Sequence, residues 1–139
     1  MKLPLLDSSV FPTYKKGVEK YAPLSKFSLV VYYELTATSI DNSTLQKIDV
    51  WKHIAQKADR LLVPTNTDWI DCAKAIRRLR HLRLIDKNLS ATVLQNDALI
   101  ARSAYLNNCF VVTENIKDFS LLQKVMPRLE GIPAKEFFG

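Results

Sequence analysis

Apolar residues along this chain arrive in two alternating forms, short unbroken runs and stripes at helical spacing. Leu3-Pro4-Leu5-Leu6 is the first run and predicts a strand. It begins no earlier than Pro4, because proline cannot donate to a ladder and belongs at strand starts or edges. Gly17 to Lys26 mixes charges with prolines and reads as a helix fragment plus loop. Phe27 to Val31 predicts a second strand, with the chain turning helical near Tyr32 and carrying Glu34 in the first turns of that helix. Asp41 to Lys57 carries Leu45, Ile48, Trp51, Ile54 and Ala55 on one face of a predicted helix. Arg60 to Val63 predicts a short strand closed by Pro64. Thr67 is the predicted N-cap of a helix that puts Asp68 and Asp71 in its first turn and runs through Ile70, Ala73, Ile76 and Leu79 to about Leu84. Asp86 to Gln95 reads as a polar connector, with part of it open to a helical reading. Asp97 to Leu106 is the next predicted helix, ended by Asn107-Asn108, which tolerate left-handed geometry. Phe110 to Thr113 predicts a strand, Phe119 to Val125 a short helix, and Ile132 to Ala134 a last edge strand. Strands alternating with helices point to an α/β fold around a parallel sheet, in a single domain spanning residues 1–139.

An acidic residue sits at the edge of four apolar segments that lie far apart in sequence. Asp7 follows the first run, Glu34 follows Leu29 to Tyr33, Asp97 precedes Ala98-Leu99-Ile100-Ala101, and Asp118 lies just past Phe110 to Thr113. Strands that are apolar throughout belong in a parallel sheet covered on both faces. Residues beyond the carboxyl ends of such strands line the ligand crevice. If these segments are neighbours, four carboxylates meet there. Such a cluster repels itself, and a hard divalent ion held by oxygen ligands is the usual relief. Singly, each acid has an ordinary explanation. Asp97 suits a helix N-terminus, Asp7 a cap and Asp118 a turn. Glu34 resists that explanation, because a lone carboxylate after an apolar run is costly to bury.

The bulk figures narrow the field. The 139 residues suffice for a real core, and 47% hydrophobic with 24% charged residues is ordinary for a globular protein. No apolar run approaches the roughly 20 residues of a membrane span, and the start lacks the pattern of a secretory signal. Cys72 and Cys109 form no CxxC and, with only His53 and His81, give no zinc pattern. A reduced cytoplasmic setting is the simplest expectation. The net charge of +6 favours a polyanionic partner. A protein basic overall but acidic at one point has the balance of a nuclease, with positive surface for a phosphate backbone and a negative pocket for a metal.

Order and spacing then become recognisable. Leu5-Leu6-Asp7-Ser8-Ser9-Val10, Val31-Tyr32-Tyr33-Glu34-Leu35, Asn96-Asp97-Ala98-Leu99-Ile100-Ala101 and Thr113-Glu114-Asn115-Ile116-Lys117-Asp118-Phe119 resemble the successive motifs of PIN-domain proteins, most closely the VapC type of toxin. The resemblance spans about residues 3 to 134. It implies a three-layer α/β/α sandwich with a central parallel sheet, and a Mg²⁺- or Mn²⁺-dependent endoribonuclease that is the toxin of a type II toxin–antitoxin pair. It further implies RNA as substrate, a cognate antitoxin as partner and a homodimer. Carried over by motif, Asp7, Glu34, Asp97 and Asp118 are the metal-site carboxylates. Ser8, Thr113 and Asn115 are polar supports that orient them or bind water.

The chain departs from that pattern in two places. Glu114 adds an acid beside the fourth motif, free to join the site, form an ion pair or face solvent. Leu35-Thr36-Ala37-Thr38 lacks the glycine that often follows in relatives. The stretch Lys74 to Arg83 places Arg77, Arg80 and Arg83 at three-residue intervals, a ridge for RNA phosphates, for an acidic antitoxin tail, or simply for solvent. Two alternatives keep the fold: a binding module without activity, and a PIN nuclease outside any toxin–antitoxin pair.

Overall fold

A computed structural model describes residues 1–139. Five strands, β1 (Leu3–Leu6), β2 (Phe27–Ser28), β3 (Leu61–Leu62), β4 (Cys109–Thr113) and β5 (Gly131–Pro133), all pair in parallel. β4 lies between β1 and β5, β2 pairs with β3, and a single bridge from Leu5 to Lys26 joins the two sets beside β1. Seven helices cover them: α1 (Lys15–Tyr21), α2 (Leu29–Thr38), α3 (Asn42–Lys57), α4 (Asn66–His81), α5 (Thr92–Leu106), α6 (Ile116–Gln123) and α7 (Ala134–Phe138).

Strand alternation sorts the core into layers. Leu5 and Val111 face one way and pack with Val31, Leu79, Leu99, Ile100 and Phe119 from α2, α4, α5 and α6. Leu6 and Val112 face the other way and pack with Val18 of α1 and Ala134 of α7. Phe27 extends that second side against Ile48 and Ala55 of α3, while Phe11 and Trp51 touch both groups. Successive residues of β1 and β4 are therefore buried on opposite faces, the reason their runs carry no polar alternation. The result is the expected three-layer α/β/α sandwich. No helix is long and apolar enough to cross a membrane.

Pro4 sits inside β1 without harm. The N–H groups of Leu3 and Asp7 donate to Asn108 and Val112, so Pro4 presents its nitrogen away from β4, and its carbonyl accepts from Lys26. Several boundaries differ from the pattern-based expectation, each for a local reason. The strand expected over Phe27 to Val31 stops at Ser28, because the Ser28 hydroxyl accepts from the Val30 N–H and starts α2 at Leu29. The cap of α4 is Thr65, not Thr67. Thr65 and Asp68 form a reciprocal capping box, in which the Thr65 hydroxyl accepts from the Asp68 N–H and the Asp68 carboxylate accepts from the Thr65 N–H. Asp68 is also buried against Arg102, whose second nitrogen reaches Asp71, so these acids tie α4 to α5. α5 starts at Thr92, inside the stretch read as a polar connector, and α6 starts at Ile116.

The arginine ridge does not survive folding. α4 ends at His81, and Arg83 lies beyond it with φ of +57°. Arg80 turns its guanidinium onto the carbonyls of Asp86, Lys87 and Leu89, holding the loop that leads to α5. Arg77 stays exposed. Arg80→Ala should therefore lower folding stability by about 1–2 kcal/mol, since it orphans three carbonyl contacts. Arg77→Ala should stay within about 0.5 kcal/mol of wild type. Chemical denaturation of both variants checks this, and equal effects would contradict the assignment of Arg80 as a loop clamp.

Candidate metal centre

The carboxyl ends of β1 and β4 meet at Asp7. This residue follows β1 directly, donates its N–H to the Val112 carbonyl at 2.9 Å, and is only 1% exposed. Its Oδ2 accepts from the Ser9 hydroxyl at 2.7 Å and from the Thr113 hydroxyl at 2.9 Å. Thr113 is the fully buried last residue of β4. The loop after it fixes both hydroxyls: the Glu114 N–H donates to Ser9 Oγ at 3.0 Å and the Asn115 N–H to Thr113 Oγ1 at 2.8 Å.

Glu34 approaches from α2. As expected it lies in a helix, in the second turn, where the Ser8 hydroxyl donates to its Oε1 at 3.1 Å. Asp97 lies in the second turn of α5, past the reach of a first-turn capping role, because that helix begins five residues earlier. Asp118 stands in the first turn of α6, its N–H bonded to the Asn115 carbonyl. Asn115 precedes α6 with its side chain exposed and making no cap, so its structural contribution is the backbone N–H given to Thr113.

Charge confirms that the four acids sense one another. Asp97 is pushed up to about 7, first by burial, then by the charges of Asp7, Asp118 and Glu34, and last by a hydrogen bond with Asp118. Glu34 is raised by burial and by Asp7, against hydrogen bonds from Ser8 and Asn96 that favour its charged form. No cation answers them. The ion pairs of the chain, Lys2–Glu130, Lys47–Glu19, Arg102–Asp68 and Arg102–Asp71, all lie elsewhere. Four hard oxygen donors without a basic partner suit a divalent cation such as Mg²⁺. The acids do not form a ready-made coordination sphere, as no three metal-binding side chains of the molecule are grouped that closely. Like-charge repulsion opposes any tighter grouping.

Of the residues named from sequence, Asp7, Glu34, Asp97, Asp118, Ser8 and Thr113 converge on this edge, and Asn115 contributes through its backbone. Sequence reasoning missed two more. Asn96, at the position before Asp97, lies near enough to Glu34 to favour its charged form, a spacing with no recognisable signal. Ser9 was legible in principle, since a hydroxyl two residues from an aspartate is placed for a local side-chain bond. The Glu114 side chain turns toward Tyr14, whose hydroxyl is raised by burial and then by Glu114. Cys72 and Cys109 are buried thiols, Cys72 pushed up to about 11 mainly by burial, so they pack as hydrophobes.

No protein-family model matches the chain, and no curated protein is significantly similar in sequence. Among solved structures, the VapBC-1 structure from nontypeable Haemophilus influenzae aligns with a TM-score of 0.58 at 18% identity, covering 95% of this chain and 98% of that one. VapBC2 from Rickettsia felis, bound to a DNA fragment from their promoter, aligns with a TM-score of 0.53 at 21% identity, covering 94% and 97%. At such identities the likeness shows the fold. The chain has the PIN-type α/β/α fold of the VapC kind.

The raised Asp97 gives a signed test on the metal-free protein. A carboxyl raised in the folded state leaves stability intact below its ordinary value of 3.8 and removes it as pH rises through about 7. The ceiling of the effect is on the order of 4 kcal/mol. Asp97→Asn should therefore raise the melting temperature by several degrees at about pH 8, with a gain that shrinks toward zero at about pH 4. A gain independent of pH would show that Asp97 is not the strained acid.

Proposed function

We propose that this protein is a metal-dependent endoribonuclease, the toxin of a type II toxin–antitoxin pair. One observation carries the reading: on a VapC-type fold, four carboxylates from β1, α2, α5 and α6 converge with no basic side chain to balance them. Asp7, Asp97 and Asp118 would hold Mg²⁺ or Mn²⁺, and Glu34 would complete the set directly or through water. A bound ion of this kind lowers the pKa of its water and neutralises charge on a phosphodiester under attack. The protein's part is to hold the oxygens in place. Ser9 and Thr113 fix Asp7, and Ser8 holds Glu34. No histidine or serine–base pair is needed. The net charge of +6 favours RNA as the polyanion drawn to this edge.

Two surfaces support the proposed partners. A cleft of about 610 Å³ runs from Ser8 and Glu34 past Phe11 and Trp51 to Lys15 and Lys47, an apolar floor with a charged rim that ends at the acids. A segment of the antitoxin laid there would deliver an arginine to the carboxylates, which its fork pairs bidentately. Elsewhere, Tyr33, Val63 and Trp69 are exposed around a groove of about 860 Å³ beside Asn96. An apolar patch of that kind marks an interaction site, and a second copy of the chain is the occupant assigned to it here.

Asp7→Asn, Asp97→Asn and Asp118→Asn should each cut Mg²⁺-dependent RNA cleavage by on the order of 100-fold or more, with the circular dichroism spectrum unchanged. Cleavage retained in Asp97→Asn would overturn the assignment. Expression of the chain alone should arrest growth, and co-expression of a neighbouring small gene should restore it. Active purified enzyme from a harmless chain would instead indicate a PIN nuclease outside a toxin pair. A harmless chain that neither cleaves RNA nor takes up Mn²⁺ would indicate a binding module.

A further inference from the structure

The two hydroxyls on Asp7 do more than fill a buried carboxylate's needs, because both reach the same oxygen. Ser9 donates to Oδ2 at 2.7 Å and Thr113 donates to Oδ2 at 2.9 Å. A carboxylate oxygen offers about two lone-pair sites, so Oδ2 is saturated and Oδ1 remains the only oxygen of Asp7 open to a ligand. Neither hydroxyl is free to swing away. Each accepts a backbone N–H from the loop between β4 and α6, Glu114 to Ser9 at 3.0 Å and Asn115 to Thr113 at 2.8 Å. The two hydroxyls also lie 3.4 Å from each other, a longer contact than either makes to Asp7. Two segments of the chain, residues 7–9 and 113–115, thus converge on one carboxylate and leave Oδ1 without a protein partner.

From this geometry we infer that Ser9 is a positioning residue that makes Asp7 a one-oxygen ligand and thereby sets which cation the site prefers. The inference rests on the metal-site reading above. A one-oxygen carboxylate suits a small ion that demands near-octahedral geometry, such as Mg²⁺ or Mn²⁺, whereas Ca²⁺ takes six to eight oxygens and readily uses both oxygens of one carboxylate. Removing the Ser9 hydroxyl releases one lone pair on Oδ2, loosens the carboxylate and lets it turn both oxygens to an ion. Affinity for the small cation falls and that for the larger one falls less or rises.

The test is calorimetric titration of the purified chain with Mn²⁺ and, separately, with Ca²⁺, for wild type, Ser9→Ala and Ser9→Thr. Wild type should bind Mn²⁺ more tightly than Ca²⁺. Ser9→Ala should weaken Mn²⁺ binding by about 10-fold or more, the usual effect of removing a group that orients a ligand, and shift the Ca²⁺-to-Mn²⁺ affinity ratio toward Ca²⁺ by a similar factor. Ser9→Thr keeps the hydroxyl and should restore the wild-type ratio. Should the alanine chain not fold, Ser9→Cys keeps the volume with a weaker donor and should shift the ratio in the same direction. Wild-type affinity and ratio in Ser9→Ala would overturn the inference, as would weakening of both ions by one factor, which is what a purely structural serine gives. If wild type binds neither ion, the metal-site reading fails and this inference with it. If wild type binds Mn²⁺ while Ser9→Ala is unaltered, only the role of Ser9 fails.

Discussion

Mutual repulsion among four carboxylates is the constraint around which this end of the molecule is organised. Asp7, Glu34, Asp97 and Asp118 come from four segments, and folding brings their charges within range of one another with no lysine or arginine between them. That arrangement works against folding and must be over-determined by the rest of the structure. The sheet supplies the rigidity. β1 is paired along its length to β4, is bridged to Lys26 on its other side, and is buried on both faces, so Asp7 has no freedom to retreat. The cost is greatest at Asp97, whose carboxyl is pushed up to about 7 by burial first and then by the charges of Asp7, Asp118 and Glu34.

Hydroxyl and amide donors provide what cations do not. Ser9 and Thr113 donate to the Asp7 carboxylate, and Ser8 donates to Glu34 and favours its charged form. These groups offset part of the repulsion without neutralising it, so the edge stays strongly negative and open to a positive visitor. An ion, an arginine or a lysine each meets that need.

Much of this was legible in the chain itself. The apolar runs ending at Asp7 and near Asp118 announced strands of a parallel sheet, and the capping and amphipathic signals located α3, α4 and α5 to within a few residues. Glu34 was expected in the first turns of a helix beginning near Tyr32 and lies in that helix, but the Ser28 hydroxyl starts it earlier, at Leu29, a choice that local propensity among valines and tyrosines does not reveal. The arginine ridge failed because helical spacing says nothing of where a helix stops. A left-handed residue at Arg83 and a loop within reach of Arg80 decided that, and both depend on tertiary packing. The reach of Ser9 to Asp7 is local and could have been read, but the Glu114 N–H that holds its hydroxyl, like the nearness of Asn96 to Glu34, is set by the meeting of segments far apart in sequence.

The central claim is that the four acids form one divalent-cation site, and the most direct measurement is proton release on metal binding. At neutral pH Asp97 carries a proton for part of the time, and an ion entering the cluster must displace it. Calorimetric titration with Mn²⁺ in two buffers of different ionisation enthalpy reads that proton. Release should be a sizeable fraction of a proton per ion at about pH 7 and should fall toward zero at about pH 8.5. Mn²⁺ uptake with no proton released at either pH, or no uptake at all, would contradict the account.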